Sequence, residues 1–133
     1  MVEQLRRWAT LVGAEAPAIL ADSRLLGPCL ETFAVSQLRA ELEACESHPR
    51  LYHLRDRDGR HEVDVLVEYG AGRVAGIEIK AAAAVSGDDA KHLRWCRSEL
   101  GERFIGGVIL HTGSHIFQLE DGIVAAPIAS LWG

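Results

Sequence analysis

Glu78 and Lys80 stand two residues apart in Ile77-Glu78-Ile79-Lys80, and Asp64 precedes them in Glu62-Val63-Asp64-Val65. If both stretches are strands, alternation puts Glu78 and Lys80 on one face and Ile77 and Ile79 on the other. The same rule groups Asp64 with Glu62, Leu66 and Glu68. Where those two faces coincide, two carboxylates and an amine converge. Two hard oxygen ligands about one strand spacing apart suit Mg²⁺ or Mn²⁺. A lysine beside them positions or activates a water, or stabilises charge developing on a phosphate. The plainer reading is a solvated Glu–Lys pair on an exposed antiparallel face, and spacing alone favours it. Two features weigh the other way. Of 14 basic residues only Lys80 and Lys91 are lysine, and lysine is the cation whose proton can be tuned. Val74 and Gly76, on the face of Glu78, are apolar or small, so the charges would sit at the open end of a partly covered surface.

The elements that must position these residues follow from the pattern of the chain. Residues 2–12 read as a helix ended by Gly13, and residues 16–21 as a short helical turn. Gly27-Pro28 predicts the start of a longer helix, because proline suits a first helical position. Its stripe is Leu30, Phe33, Ala34, Leu38, Leu42 and Cys45, and it should stop near Ser47, before Pro49. Strands are predicted over 51–55, 61–69 and 73–80, with Asp58-Gly59 as a hairpin turn. Ser86-x-x-Asp89 fits a capping box for a helix running to Leu100. A buried strand over 104–111 follows, then a small terminal hairpin around Asp121-Gly122 and a last short helix opened by Pro127. Strand–helix–strand implies a crossover, so the sheet should be mixed.

Composition bounds the function. The 133 residues suit one domain, with 48% hydrophobic and 25% charged residues, an ordinary globular balance. No apolar run approaches the roughly 18 residues of a membrane span. The opening Met1-Val2-Glu3-Gln4 has no basic region followed by an apolar stretch. The expectation is a cytoplasmic protein with no membrane contact. Cys29, Cys45 and Cys96 are widely spaced, which suits small buried side chains better than a zinc finger or disulfide framework. The net charge of −5 excludes a protein that coats nucleic acid through bulk charge, so any such contact must be local.

The ordered set of motifs resembles the PD-(D/E)XK nuclease superfamily, the restriction-endonuclease-like fold. It is more narrowly similar to the nuclease-like C-terminal domain of unknown function attached to many prokaryotic AAA+ ATPases. The matching stretches run from Leu26-Gly27-Pro28-Cys29-Leu30-Glu31-Thr32-Phe33-Ala34-Val35 through Arg55-x-x-Asp58-Gly59 and Glu62-Val63-Asp64. They continue with Glu78-Ile79-Lys80, His111-Thr112-Gly113 and the closing Pro127-Ile128-Ala129-Ser130-Leu131-Trp132. The resemblance implies an α/β fold with a mixed central sheet of four or five strands flanked by helices. Residues 1–133 would form one nuclease-like domain, with 1–25 a helical extension and 26–132 the core. It also implies roles: Asp64 and Glu78 as ligands of Mg²⁺ or Mn²⁺, the Ile79 carbonyl as a further ligand, and Lys80 acting on the attacking water or the scissile phosphate. Glu31 would match an acidic residue on the first core helix that some members use as an additional ligand. Read from the residues alone, Glu31 equally complements a helix dipole. The residue before Asp64 is valine rather than the signature proline. No G-x-x-x-x-G-K-[ST] loop occurs, so the ATPase module is missing from these residues; a free-standing relative, a component acting with a separate ATPase, and a remnant are all open.

Around this core, Arg55 and Arg57 in the first hairpin, with Lys91 and Arg94 on the second helix, are candidates for contact with a DNA or RNA backbone. The bland alternative is a solvated helix face. The six histidines show no close ligand spacing and read as ordinary polar residues. Two functions are therefore carried forward. One is a Mg²⁺- or Mn²⁺-dependent phosphodiesterase acting on nucleic acid. The other is a catalytically silent docking module that binds an AAA+ ATPase partner or itself.

Overall fold

A computed structural model of the chain describes residues 16–132; the helix expected over 2–12 lies outside them. Helix α1 (Ala16–Ala21) leads into the long helix α2 (Ser23–Glu43). Three antiparallel strands follow: β1 (Arg50–Arg55), β2 (Glu62–Tyr69) and β3 (Arg73–Ile79). A capped 3-10 turn (Gly87–Ala90) opens α3 (Lys91–Leu100). The chain ends with β4 (Phe104–His111), β5 (Phe117–Glu120), β6 (Ile123–Pro127) and a 3-10 turn (Ile128–Trp132). Among the described residues no helix is long and apolar enough to cross a membrane.

The six strands form one mixed sheet in the order β1-β2-β3-β4-β6-β5. β3, β4 and β6 run parallel, with α3 as the crossover between β3 and β4. The strand count exceeds the expected four or five because the terminal hairpin is no appendage. β6 slots in beside β4, and β5 forms the far edge. Ile123 and Ala125, fully buried on β6, supply the apolar surface that makes this pairing favourable.

Helices cover the two faces separately. On one, α3 buries Leu93 and Cys96 against Val63, Ile109 and Ile123. On the other, α2 and the last turn bury Leu30, Ala34 and Ile128 against Leu110, Ile77 and Val108. Gly76 is required by this packing, because a Cβ there would lie 2.6 Å from Leu93 Cδ2.

The long helix begins earlier than Pro28 suggested. Asp22 is its N-cap, its carboxylate accepting from the Arg24 amide, so Pro28 lies in the second turn. The helical bond lost there is the one to the carbonyl of Arg24, a solvent-exposed residue, where losing it costs little. The hairpin turn is as expected: Gly59 adopts φ +67°, a region open to glycine without cost.

A candidate metal centre at the carboxyl end of strand β3

β2 starts and β3 ends at the same end of the sheet, beside the carboxyl ends of the parallel strands. That is where ligands bind in open α/β sheets. β1 pairs Tyr52 with Leu66 but Leu54 with Val63. Two residues of β2, Asp64 and Val65, therefore oppose the single residue His53. This is a bulge, and it reverses the alternation. Val63 and Leu66, which a regular strand would put on opposite faces, pack against the same cluster under α3. The bulge re-aims Asp64, whose Oδ2 accepts from the Ile79 amide at 2.7 Å. The first carboxylate is thus tied to the strand end that carries Glu78 and Lys80.

Glu78 shares a face with Val74 and Gly76, as alternation required, and all three are buried. The residue is 2% exposed, yet Oε1 has no hydrogen-bond partner. Oε2 pairs with Lys80 Nζ at 3.3 Å. Burial pushes the Glu78 carboxyl from 4.5 up to about 7. Lys80 draws it back down, while the charges of Asp64 and Asp89 push it further up. Burial also raises Asp64, against the pull of the Ile79 amide and Lys80. Two neighbouring acids that both resist ionisation mark a place short of positive charge.

Glu31, on α2, lies on the other side of Asp64. Its carboxyl is raised by burial and then by the charge of Asp64. The two line a groove of about 760 Å³ with Glu43, Glu62, Arg39 and His53. Four carboxylates against one arginine and one histidine leave the groove acidic. His53 is a residue that sequence reasoning passed over. Its Nδ1 lies 3.2 Å from the Asp64 carbonyl and its Nε2 3.0 Å from Glu62 Oε1. Its position opposite the bulge brings it there, and no local motif signals that. His92 is similar: burial, then Lys91 and Lys80, hold its imidazole below the ordinary value, so it lies within the field of the site. Its ring meets His61 edge-on, and His61 stacks on Trp95.

The basic candidates divide. Arg55 and Arg57 belong to the β1–β2 hairpin, at the Asp64 end of the sheet, and Lys91 is exposed at the start of α3. Arg94 donates to the Gly87 carbonyl and lies 3.7 Å from Glu120. Arg97 reaches Glu120 and the Asp121 carbonyl. These two arginines tie α3 to neighbouring turns.

The donor set fits a hard cation. Among the described residues no three His, Cys, Asp or Glu side chains are gathered into a ready cluster. What the site offers is Asp64, the orphaned Oε1 of Glu78 and the main chain at Ile79. Mg²⁺ is commonly held in this manner, by one or two carboxylates with water completing the shell.

Set against known families, residues 26–131 match a domain of unknown function, DUF4143. Among curated proteins none matches the chain at a significant level.

Proposed function

The chain belongs to the DUF4143 family, and we propose that this member is a Mg²⁺- or Mn²⁺-dependent phosphodiesterase of the PD-(D/E)XK type, acting on nucleic acid. The observation that carries the reading is Glu78: a residue 2% exposed, its carboxylate with one oxygen unpartnered, beside Asp64 and Lys80. A buried carboxylate oxygen without a partner is costly, and a cation removes that cost.

In this reading Asp64 and Glu78 hold the cation, with the Ile79 carbonyl as a further ligand and Glu31 reaching it from the groove side. A bound divalent cation polarises a phosphoryl oxygen and acidifies water at the site. The rest falls to the chain. Asp64, held by the Ile79 amide, fixes the spacing of the strand ends. Lys80, 33% exposed and paired to Glu78, presents its ammonium where negative charge grows on phosphorus. The surrounding acids repel a phosphate backbone until a cation is present, which makes approach of substrate cation-dependent. Arg55, Arg57 and Lys91 flank that end of the sheet and supply backbone contacts; Arg94, engaged with Gly87 and Glu120, contributes less. The test is a panel of duplex DNA, single-stranded DNA and RNA incubated with Mg²⁺ or Mn²⁺. Cleavage is expected with wild type and lost in Asp64→Asn and Lys80→Met. Cleavage undiminished in Asp64→Asn, or none on any substrate, contradicts the reading.

A second reading keeps the fold without the chemistry, as a docking module for an AAA+ ATPase or for a second copy. It is favoured by an open groove of about 520 Å³ at the opposite end of the sheet, lined by Tyr69, Arg73, Ala75, Ile105, Val108 and Val124. Ile105 is 51% exposed there, an apolar surface of the kind that partners cover. Light scattering decides the self-association branch: a stable dimer dispersed by Ile105→Glu supports it, and a monomer opposes it.

A further inference from the structure

Past Ile79 the chain keeps hold of β4. The Lys80 amide donates to the Leu110 carbonyl at 2.8 Å, and the Thr112 amide to the Ala82 carbonyl at 2.9 Å. In a regular parallel ladder the Thr112 amide would bond to the carbonyl of Lys80 itself. Two extra residues, Ala81 and Ala82, therefore bulge out opposite His111, immediately after the lysine.

The other side of this bulge is built with care. His111 is 1% exposed. The Gly113 amide donates to its Nδ1 at 3.0 Å, so Nδ1 is the unprotonated nitrogen, and Nε2–H donates to the His115 carbonyl at 3.1 Å. Both ring nitrogens are spent on the turn that follows β4, which locks its shape. Gly113 then lies directly against the bulge. A Cβ on it would overlap the Ala83 carbonyl oxygen and stand 2.9 Å from His111 Nδ1. Only glycine lets the two segments close.

We infer that the His111-Thr112-Gly113 corner is a positioning device for Lys80, clamping residues 80–83 onto the end of β4 so that the amine is held at Glu78. His111 and Gly113 are positioning residues and touch no substrate. The consequence for catalysis rests on the role proposed above for Lys80; the clamp itself does not. A lysine side chain is long and rotamer-rich, so a loose backbone at residue 80 would let the ammonium swing into solvent.

The test exploits the two lysines of the chain. Protein labelled with ¹⁵N-lysine gives one ammonium signal each for Lys80 and Lys91, assigned with Lys80→Arg. In wild type the Lys80 signal should differ from that of exposed Lys91, reflecting its carboxylate partner. In Gly113→Ala and His111→Leu it should move to the solvent position, with amide exchange at Lys80 and Thr112 faster on the order of tenfold. His111→Asn, whose Oδ1 can accept the Gly113 amide, should keep the wild-type signal. An unmoved Lys80 signal in a folded Gly113→Ala protein overturns the inference, as does a His111→Asn protein as disturbed as His111→Leu. Should His111→Leu fail to fold, Gly113→Ala and His111→Asn still decide. Cleavage is assayed in parallel: an inactive wild type contradicts the proposed function, while the lysine signal, which needs no activity, still reports on the clamp.

Discussion

Glu78→Gln should make the metal-free protein more stable above neutral pH, an unusual result for a mutation in a candidate active site. In the folded chain the carboxyl ionises only near about 7, against 4.5 for an ordinary glutamate. Between those values the folded state binds more protons at this group than the unfolded state does. Stability therefore falls as pH rises through that window, and the loss is complete above it. A tenfold change in proton affinity is worth about 1.4 kcal/mol, so the full difference is about 3 kcal/mol at pH 8 and close to nothing below pH 4.5. Glutamine keeps the shape and removes the charge, and Lys80, 33% exposed, remains solvated without its partner. In urea, with a slope of about 1–3 kcal/mol per molar for a domain of this size, the midpoint should rise by roughly 1–3 M at pH 8 in chelator and be nearly unchanged at pH 4.5. Saturating Mn²⁺ should close the gap from the other side, raising wild type by about 3 kcal/mol at a hundredfold excess over Kd and leaving Glu78→Gln where it was. A variant less stable than wild type at pH 8 in chelator, or a gap that ignores pH, would refute the reasoning.

Asp64 offers a complementary comparison, since both Asn and Ala remove its charge but only Asn keeps an acceptor for the Ile79 amide. Asp64→Ala should melt below Asp64→Asn by about 1–2 kcal/mol, and equal stabilities would mean that the 2.7 Å bond contributes nothing. Gly76→Ala should cost about 1–3 kcal/mol through crowding of Leu93, seen as a lower denaturant midpoint with unchanged slope. Binding of duplex DNA, followed by fluorescence anisotropy, should be absent in chelator and appear with Ca²⁺ or Mg²⁺, because the acids around Asp64 repel phosphate; tight binding in chelator would contradict that electrostatic picture.

Much of the fold was legible because local signals agreed with the tertiary outcome. The box Ser86-x-x-Asp89 caps the turn before α3, with both reciprocal bonds present. β4 spans the expected residues, and Asp58-Gly59 turns the first hairpin. Pro28 misled because a proline marks a helix start only when no better cap precedes it, and Asp22 is that cap. The terminal hairpin was underestimated because short strands such as Ile123–Pro127 reveal their partner only through long-range burial. At the site, the pairing of Glu78 with Lys80 followed from alternation on β3. The position of Asp64 did not, since alternation on β2 is broken by a bulge at Asp64–Val65 that no glycine or proline announces. Its cause is tertiary: one strand must point Val63 into the core under α3 while holding a carboxylate against the end of β3. The histidines were missed for the same reason. His53 lies far from any motif, and although His111 opens the His111-Thr112-Gly113 stretch, only the folded chain shows that its ring nitrogens are bonded to Gly113 and His115.

The central claim is that Asp64 and Glu78 form a divalent-cation site, and a calorimetric titration with Mn²⁺ near pH 6.5 tests it most directly. Wild type should bind with release of protons, since Glu78 ionises only near about 7 and must give up its proton to ligate. The proton release shows as a binding heat that changes with the buffer. Asp64→Asn and Glu78→Gln should each abolish binding. Wild type that takes up no Mn²⁺ with or without nucleic acid, or variants that bind as well as wild type, would contradict the account and leave the buried carboxylate without a function.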